Sequence, residues 1–584
     1  MNNDSIYRWT IATPALESVE RIEQACDVTA LVARCLVNRG HQDPVQVERF
    51  LEPKLRSISD PFLIPDMGVA VDRLFRALNE GEAIVIFGDY DVDGVTATTL
   101  LTETLSALGW RVFHYLPHRL EEGYGLSQAA VEKCLAKHPV GLFLAVDCGS
   151  TAVAPIQWLR SQNVDVLVLD HHQLASPPPE AFALVNPQRS SSETNPRPPF
   201  SELCSAGLAF KLAHAILKRG RDLGFTAFAE FDLRPFLELV ALGTVADLVP
   251  LIGENRVFVT SGLERLQTTT RPGLVALKTV SQTNGAIGVY EVGFQLAPRL
   301  NAAGRLESAD EALNLLLTRD MDVALRLATS LDARNRERQQ IERAISQEAT
   351  NAVRARFDPT RDFVIVEGSM QWHIGVVGIV ASRVLREFYR PTVILGGDGA
   401  EWRGSGRSIA GFDLAAALRE CGDLLLKHGG HAMAAGVSLG PGNLEALRER
   451  LNQIAQRHLT PELLRPELLL DAEVSLADLT LDQLEELERL RPFGQENPEI
   501  RVCVRRVTLA KPPQRMGKEQ QHARLALVDG SRAATGPTEC VWWSCADRTL
   551  PHGVFDAAVV PSINEYNGRR TVQLKLLDWK PTRG

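Results

Sequence analysis

Four apolar runs in the first half of the chain each end in acidic side chains, and no other feature limits the possible folds so strongly. Ile84-Val85-Ile86-Phe87 leads to Asp89, Asp91 and Asp93, and Leu142-Phe143-Leu144-Ala145-Val146 leads to Asp147. Val164-Asp165-Val166-Leu167-Val168-Leu169 runs into Asp170-His171-His172, and Leu237 through Ala246 runs into Asp247. A buried strand accepts apolar residues and rejects charges, so carboxylates and imidazoles at its end belong to a sheet edge. In open α/β sheets the C-terminal strand edge is where ligands bind. So many anions gathered there repel one another. Divalent cations remove that conflict, and the pattern predicts a metal centre.

From about residue 71 to 320, apolar strands alternate with helical patterns, which predicts βαβ units and a parallel sheet. Asp89, Asp91 and Asp93 occupy alternate positions, so their side chains project together if the segment is extended. A calcium loop starting at Asp89 would need a glutamate at its twelfth position, and that position is Leu100. Mixed carboxylate and imidazole donors suit Mn²⁺ or Mg²⁺, whereas structural zinc prefers Cys and His. A pair of such ions stabilises both the attacking and the leaving oxygen of a phosphoryl transfer. The residues by themselves therefore predict metal-assisted phosphoester hydrolysis.

Composition sets the surroundings. A chain of 584 residues is too long for one core and should divide into three or four domains. No apolar run approaches the ~20 residues that span a bilayer. The first residues lack a basic-then-apolar leader pattern. The nine cysteines include no Cys-x-x-Cys pair, which fits reduced thiols, and the expected setting is cytoplasmic with no membrane contact. The formal charge of −9 speaks mildly against a polyanionic partner, yet residues 501–584 carry 14 Lys and Arg against 7 Asp and Glu. An acidic body with a basic end segment still binds polyanions locally.

Asp89-Tyr90-Asp91-Val92-Asp93-Gly94, Asp147-Cys148-Gly149, Asp170-His171-His172 and Gly243-Thr244-Val245-Ala246-Asp247 resemble the four motifs of the DHH phosphoesterase superfamily. Within it the chain resembles, end to end, the RecJ-type single-strand-specific exonucleases. Pro298-Arg299-Leu300-Asn301-Ala302-Ala303-Gly304-Arg305 and Arg491-Pro492-Phe493-Gly494-Gln495-Glu496-Asn497-Pro498 carry that narrower likeness. The resemblance implies processive 5′→3′ digestion of single-stranded DNA to mononucleotides, in recombination and repair. It implies two divalent ions, Mn²⁺ or Mg²⁺, held by Asp91, Asp93, Asp147, His171 and Asp247. Some relatives have a histidine where this chain has Phe87, and Asp89 is expected to substitute for it. His172 would face the scissile phosphate, and Asp170 would orient an imidazole from behind. A monomer is expected, with a single-strand-binding protein and a RecQ-type helicase as partners by resemblance alone.

Residues 1–70 are expected to form a polar helical extension packed on the domain after it, and 71–320 the parallel-sheet DHH catalytic domain. Residues 321–357 form a long charged connecting helix, and 358–460 a smaller DHH-associated α/β domain. Residues 461–584, with short strands, Asn567-Gly568 as a hairpin turn, and Trp542, Trp543 and Tyr566, suit a β-barrel OB-fold that binds single strands by stacking and charge. Of Trp542 and Trp543, one is expected in the barrel and one outside. Substrate contacts are expected from Arg119 and Tyr124 on one loop, and from Arg299, Asn301 and Arg305 around a small-residue turn. In the smaller domain they are expected from Trp372, His373, Arg383, Ser405, Arg407, Ser408 and His431, where glycine-rich loops expose N–H groups to phosphate. Two other readings fit parts of the pattern. One is a phosphodiesterase or pyrophosphatase acting on short oligonucleotides, cyclic dinucleotides or pyrophosphate. The other is a non-catalytic single-strand binder.

Overall fold

A computed structural model describes residues 5–118, 122, 125–190, 198–306, 308–397, 401–530 and 536–582. Arg119 and Tyr124 lie outside the described residues. The chain forms two compact units, one of residues 48–336 with 490–498, the other of residues 1–47, 337–489 and 499–584.

The first unit is built on a five-stranded, all-parallel sheet. Its order is Arg111–Tyr115, Ala83–Gly88, Leu142–Val146, Asp165–Leu169, Ala183–Val185. Ala83–Gly88 and Leu142–Val146 are buried along their whole length, as the unbroken apolar runs require. Numbered along the chain, the strand order is 2-1-3-4-5, which places the topological switch point between Ala83–Gly88 and Leu142–Val146. Asp89 and Asp147 follow those two strands. The fourth apolar run is not a strand: Leu237–Ala246 is a helix buried on every side, which is why it shows no amphipathic period. It packs with the helices Val92–Ala107 and Ser205–Asp222.

Residues 490–498 belong to this unit, not to the barrel with which they are contiguous. Leu251 N–H donates to Gln495 O at 2.9 Å, and the buried Arg256 donates to Leu490 O at 3.0 Å and Phe50 O at 2.7 Å. Asn497 Nδ2 donates to Leu490 O and Pro492 O, closing the turn on itself.

In the second unit a mixed sheet runs Leu425–His431, Ala434–Leu439, Trp402–Arg407, Thr392–Gly397, Ile365–Gly368. The stretches around Ser405 and His431, expected as glycine-rich loops, are strands of this sheet; at Gly404 and Gly406 neighbouring atoms leave no room for a side chain. The OB-fold is present. Val502–Leu509, Phe555–Tyr566, Arg569–Pro581, Thr538–Trp542 and His522–Val528 pair in turn, and Thr508 and Leu509 pair back to Val528 and Leu527, closing a five-stranded ring. Asn567 and Gly568, both at positive φ, make the hairpin turn. Trp542 is buried and Trp543 is 50% exposed.

Residues 1–47 fall in the second unit, not in the one that begins at residue 48. Arg8–Ile11 pairs in parallel with Glu467–Leu470, and Asn38 Nδ2 donates to Asp471 O at 2.7 Å. The long helix is Met321–Arg354. No helix of the described residues is long and apolar enough to cross a membrane.

Candidate metal centre

Asp89, Asp91 and Asp93 do not converge by strand alternation. The chain turns from strand to helix within the motif, and Asp91 is the N-cap of Val92–Ala107, its Oδ1 accepting from Asp93 N and Gly94 N at 3.0 and 3.1 Å. Gly94 is needed there, because a Cβ would stand 2.5 Å from Asp89 O. The turn sends the carboxylates to two places. Asp89 and Asp91 gather with Asp147, while Asp93 gathers with His171 and Asp247.

Asp93 is buried and held from behind. Ser205 N and Ala206 N, at the start of the helix Ser205–Asp222, donate to its Oδ2 and Oδ1 at 2.7 and 2.8 Å. Asp147 stands in the left-handed region, φ 63°, immediately beyond its strand, and its N–H donates to Leu169 O. Asp247 caps the C-terminus of Leu237–Ala246, where the helix dipole disfavours an anion and favours a nearby cation. His171 Nε2 stands 3.4 Å from Asp247 Oδ2, 3.5 Å from Asp147 Oδ1 and 3.9 Å from Asp93 Oδ2.

Electrostatics follow from this crowding. Burial, then the charges of Asp93, Asp91 and Asp89, hold the Asp147 carboxyl well above the usual range. Burial and the neighbouring carboxylates do the same to Asp247, and burial raises Asp93. Burial and the charge of His172 lower His171, keeping it a neutral donor of a lone pair. The second histidine behaves oppositely. Burial would lower His172, but its Nδ1 lies 2.7 Å from Asp170 Oδ1, and that bond and charge push it up to about 9. Asp170 is likewise raised by burial, yet His172 and the Ser150 N–H hold it below the usual carboxylate range.

Ser150 and Asn186 complete this support and were not singled out from sequence. Asn186 Nδ2 donates to Ser150 Oγ and His172 O, both at 2.8 Å. The signal available was a lone asparagine directly after the apolar run Ala183–Val185.

The donor set fits divalent ions. Asp147 Oδ1 and His171 Nε2 are buried and lack hydrogen-bond partners among the described residues, although they lie 3.5 Å apart. A cation between them satisfies both. The buried thiols of Cys148 and Cys204 are pushed well above their ordinary range, so hard oxygen and imidazole donors remain, the set for Mn²⁺ or Mg²⁺.

The residues expected to touch substrate divide. Arg299 Nε donates to Asp332 Oδ1 at 2.9 Å, and Asn301 Oδ1 accepts from Val92 N at 3.1 Å, so Asn301 braces the aspartate turn. Arg305, half-buried, lies in the last turn of the helix Ala297–Leu306 that also carries Arg299 and Asn301. In the other unit Trp372 is core, its Nε1 donating to Glu348, and the buried Ser408 hydroxyl donates to Phe412 O. Arg383 pairs with Glu342, and His373 Nδ1 accepts from Gly375 N. His431 is exposed on the edge strand. Arg407 differs from the other arginines. It lies close to the helical Gly378, donates to Ser405 Oγ and Gly406 O at 2.8 Å, and is lowered by burial with no offsetting carboxylate among the described residues.

Comparison with known proteins agrees with this geometry. Residues 83–244 match the DHH family N-terminal domain, 361–457 the DHHA1 domain and 470–578 the RecJ OB domain. The chain is 37% identical to the single-stranded-DNA-specific exonuclease RecJ of Bacillus subtilis over 98% of its own length and 71% of that protein. The chain belongs to the RecJ family. A crystal structure of RecJ from Thermus thermophilus with Mn²⁺ superposes with a TM-score of 0.83 at 30% identity, covering 99% of this chain and 80% of that one. The Mg²⁺ complex of RecJ from the same organism gives 0.77 at 28%, covering 99% and 79%.

Proposed function

We propose that this protein is a metal-dependent 5′→3′ exonuclease that digests single-stranded DNA processively to mononucleotides, in recombination and repair. The observation that carries the reading is the convergence of His171 Nε2 on Asp93, Asp147 and Asp247, with two buried donor atoms left unbonded among the described residues. Membership in a family whose curated members are single-stranded-DNA-specific exonucleases supports the substrate. Two divalent ions, when bound, supply Lewis-acid stabilisation and lower the pKa of water to make a nucleophile at neutral pH.

The chain's own residues do the rest. Asp89, Asp91 and Asp147 would hold one ion, and Asp93, Asp147, His171 and Asp247 the other. His172 keeps a proton near neutral pH because Asp170 accepts from its Nδ1, and the partly exposed imidazole would face a phosphate oxygen. Ser405 and Arg407 form an anchor for the 5′ phosphate: a half-buried guanidinium with no carboxylate among the described residues to offset its burial lacks an anion, and phosphate supplies one. The closed barrel with Trp543 and Tyr566 exposed favours a polymer over a dinucleotide as substrate. A cytoplasmic monomer that works with a single-strand-binding protein and a RecQ-type helicase completes the proposal. Digestion of a 3′-labelled, 5′-phosphorylated oligonucleotide with Mn²⁺ tests it, against a blunt duplex and a dinucleotide.

A further inference from the structure

One helical stretch joins the metal centre to an exposed pair of aromatic rings. It runs from Val289 to Leu306 and contains a π turn at Val292–Leu296. Such turns are rare and concentrate at functional sites. The stretch is fixed to the catalytic loops at two points. Asn301 Oδ1 accepts from Val92 N in the aspartate turn, and Gly304 lies so close to Tyr90 that a Cβ would meet Tyr90 O at 2.8 Å. Farther back, Gly293 faces Val245, two residues before Asp247. Val292 and Leu296 are buried in the core, which turns Tyr290 and Phe294 outward. Their rings stack on each other, 5.0 Å between centroids at 30°, and yet remain 62% and 70% exposed.

Two large aromatic side chains gain more by burial than by display, and nothing in the packing of the described residues of this unit requires them outside. Leu248, directly after Asp247, is also 76% exposed and held at a positive φ of 60°. Exposed apolar groups on constrained backbone beside a reaction centre are a binding surface. Counting along the helix at ~1.5 Å per residue, the pair lies roughly 10 to 16 Å from Asn301, within a few nucleotides of the metal centre.

We infer that Tyr290 and Phe294 form a stacking platform for bases of the single strand on the 3′ side of the scissile bond. This rests on the exonuclease reading above. Stacking suits a sequence-independent nuclease, since every base has a π face. Its function is to grip the strand, which limits dissociation between successive cleavages.

The test uses the full chain with Mn²⁺ and 5′-phosphorylated 20-mers in which a single abasic residue is moved from the second to the sixth position. In wild type, an abasic residue at one or two of these positions should raise KM about 10-fold or more. Tyr290→Ala with Phe294→Ala should raise KM for the intact oligonucleotide by a similar factor and become indifferent to those same abasic positions. Tyr290→Phe with Phe294→Trp, which keep the rings, should restore the wild-type pattern. The inference is overturned if the double alanine variant keeps a KM within twofold of wild type, which would leave the pair to a protein partner. It is also overturned if abasic positions cost the variant as much as they cost wild type. If wild type itself fails to digest the strand, the exonuclease reading fails and this inference falls with it.

Discussion

His171 Nε2 and Asp147 Oδ1 stand 3.5 Å apart, both buried, and neither has a hydrogen-bond partner among the described residues. Leaving buried polar atoms unmatched costs about 1–3 kcal/mol each, and here the carboxylates around them add mutual repulsion. A divalent ion relieves both costs. Mn²⁺ should therefore raise the melting temperature by several degrees over EDTA, following the stabilisation of a state that binds ligand. Asp147→Asn should lose most of that shift, measured by scanning calorimetry.

Gly243 leaves the space that Asp93 occupies. A Cβ at this position would meet Thr96 Oγ1 at 2.6 Å, Ala206 Cβ at 2.7 Å and Asp93 Oδ1 at 2.8 Å. Gly243→Ala should cost about 1–3 kcal/mol of stability as overpacking. It should also displace the Asp93 carboxylate and weaken Mn²⁺ binding, which titration calorimetry reads directly.

Asn186 acts on the centre from behind, its amide holding Ser150 Oγ and His172 O. Asn186→Ala should lower kcat about 10- to 100-fold through misplacement of His172, the size typical of support behind a metal site. KM should change less than kcat. A drop confined to KM would contradict a positioning role.

His214 gives the protein an acid-sensitive element away from the metal centre. Burial, then the charges of Lys211, Lys218 and Arg221, lower its pKa to about 4 from the ordinary 6.5. Below pH 6.5 the unfolded state takes up a proton that the folded state refuses. The stability His214 provides is thus complete above pH 6.5, falls as pH drops, and is gone below 4. Partial exposure reduces the effect to about 1–2 kcal/mol. In urea titrations, His214→Gln should lose less stability than wild type between pH 6.5 and 4.

Much of the metal centre was legible in the sequence because charge is excluded from buried strands. Asp147, Asp170, His171 and His172 stand out where apolar runs end, and that local contrast survives without knowledge of the fold. The aspartate triplet was legible as chemistry and misread as geometry, since the N-cap preference of Asp91 outweighs extension of the chain. Arg299 and Trp372 show what local sequence cannot give. Whether an arginine meets phosphate or Asp332, and whether an indole meets a base or Glu348, depends on which distant residue folds beside it. The same holds for Arg8–Ile11, whose pairing strand, Glu467–Leu470, lies near the other end of the chain. Tyr290 and Phe294 gave no signal, because aromatics four residues apart on a helix ordinarily face the core.

The most direct test of the account follows digestion of a 3′-labelled, 5′-phosphorylated single strand with Mn²⁺, comparing wild type with Asp147→Asn. Wild type should shorten the strand progressively from its 5′ end and release mononucleotides, and both EDTA and the substitution should reduce the rate by at least about 10³-fold. An intact strand with wild type, digestion from the 3′ end, or undiminished activity in Asp147→Asn would contradict the assignment of this centre.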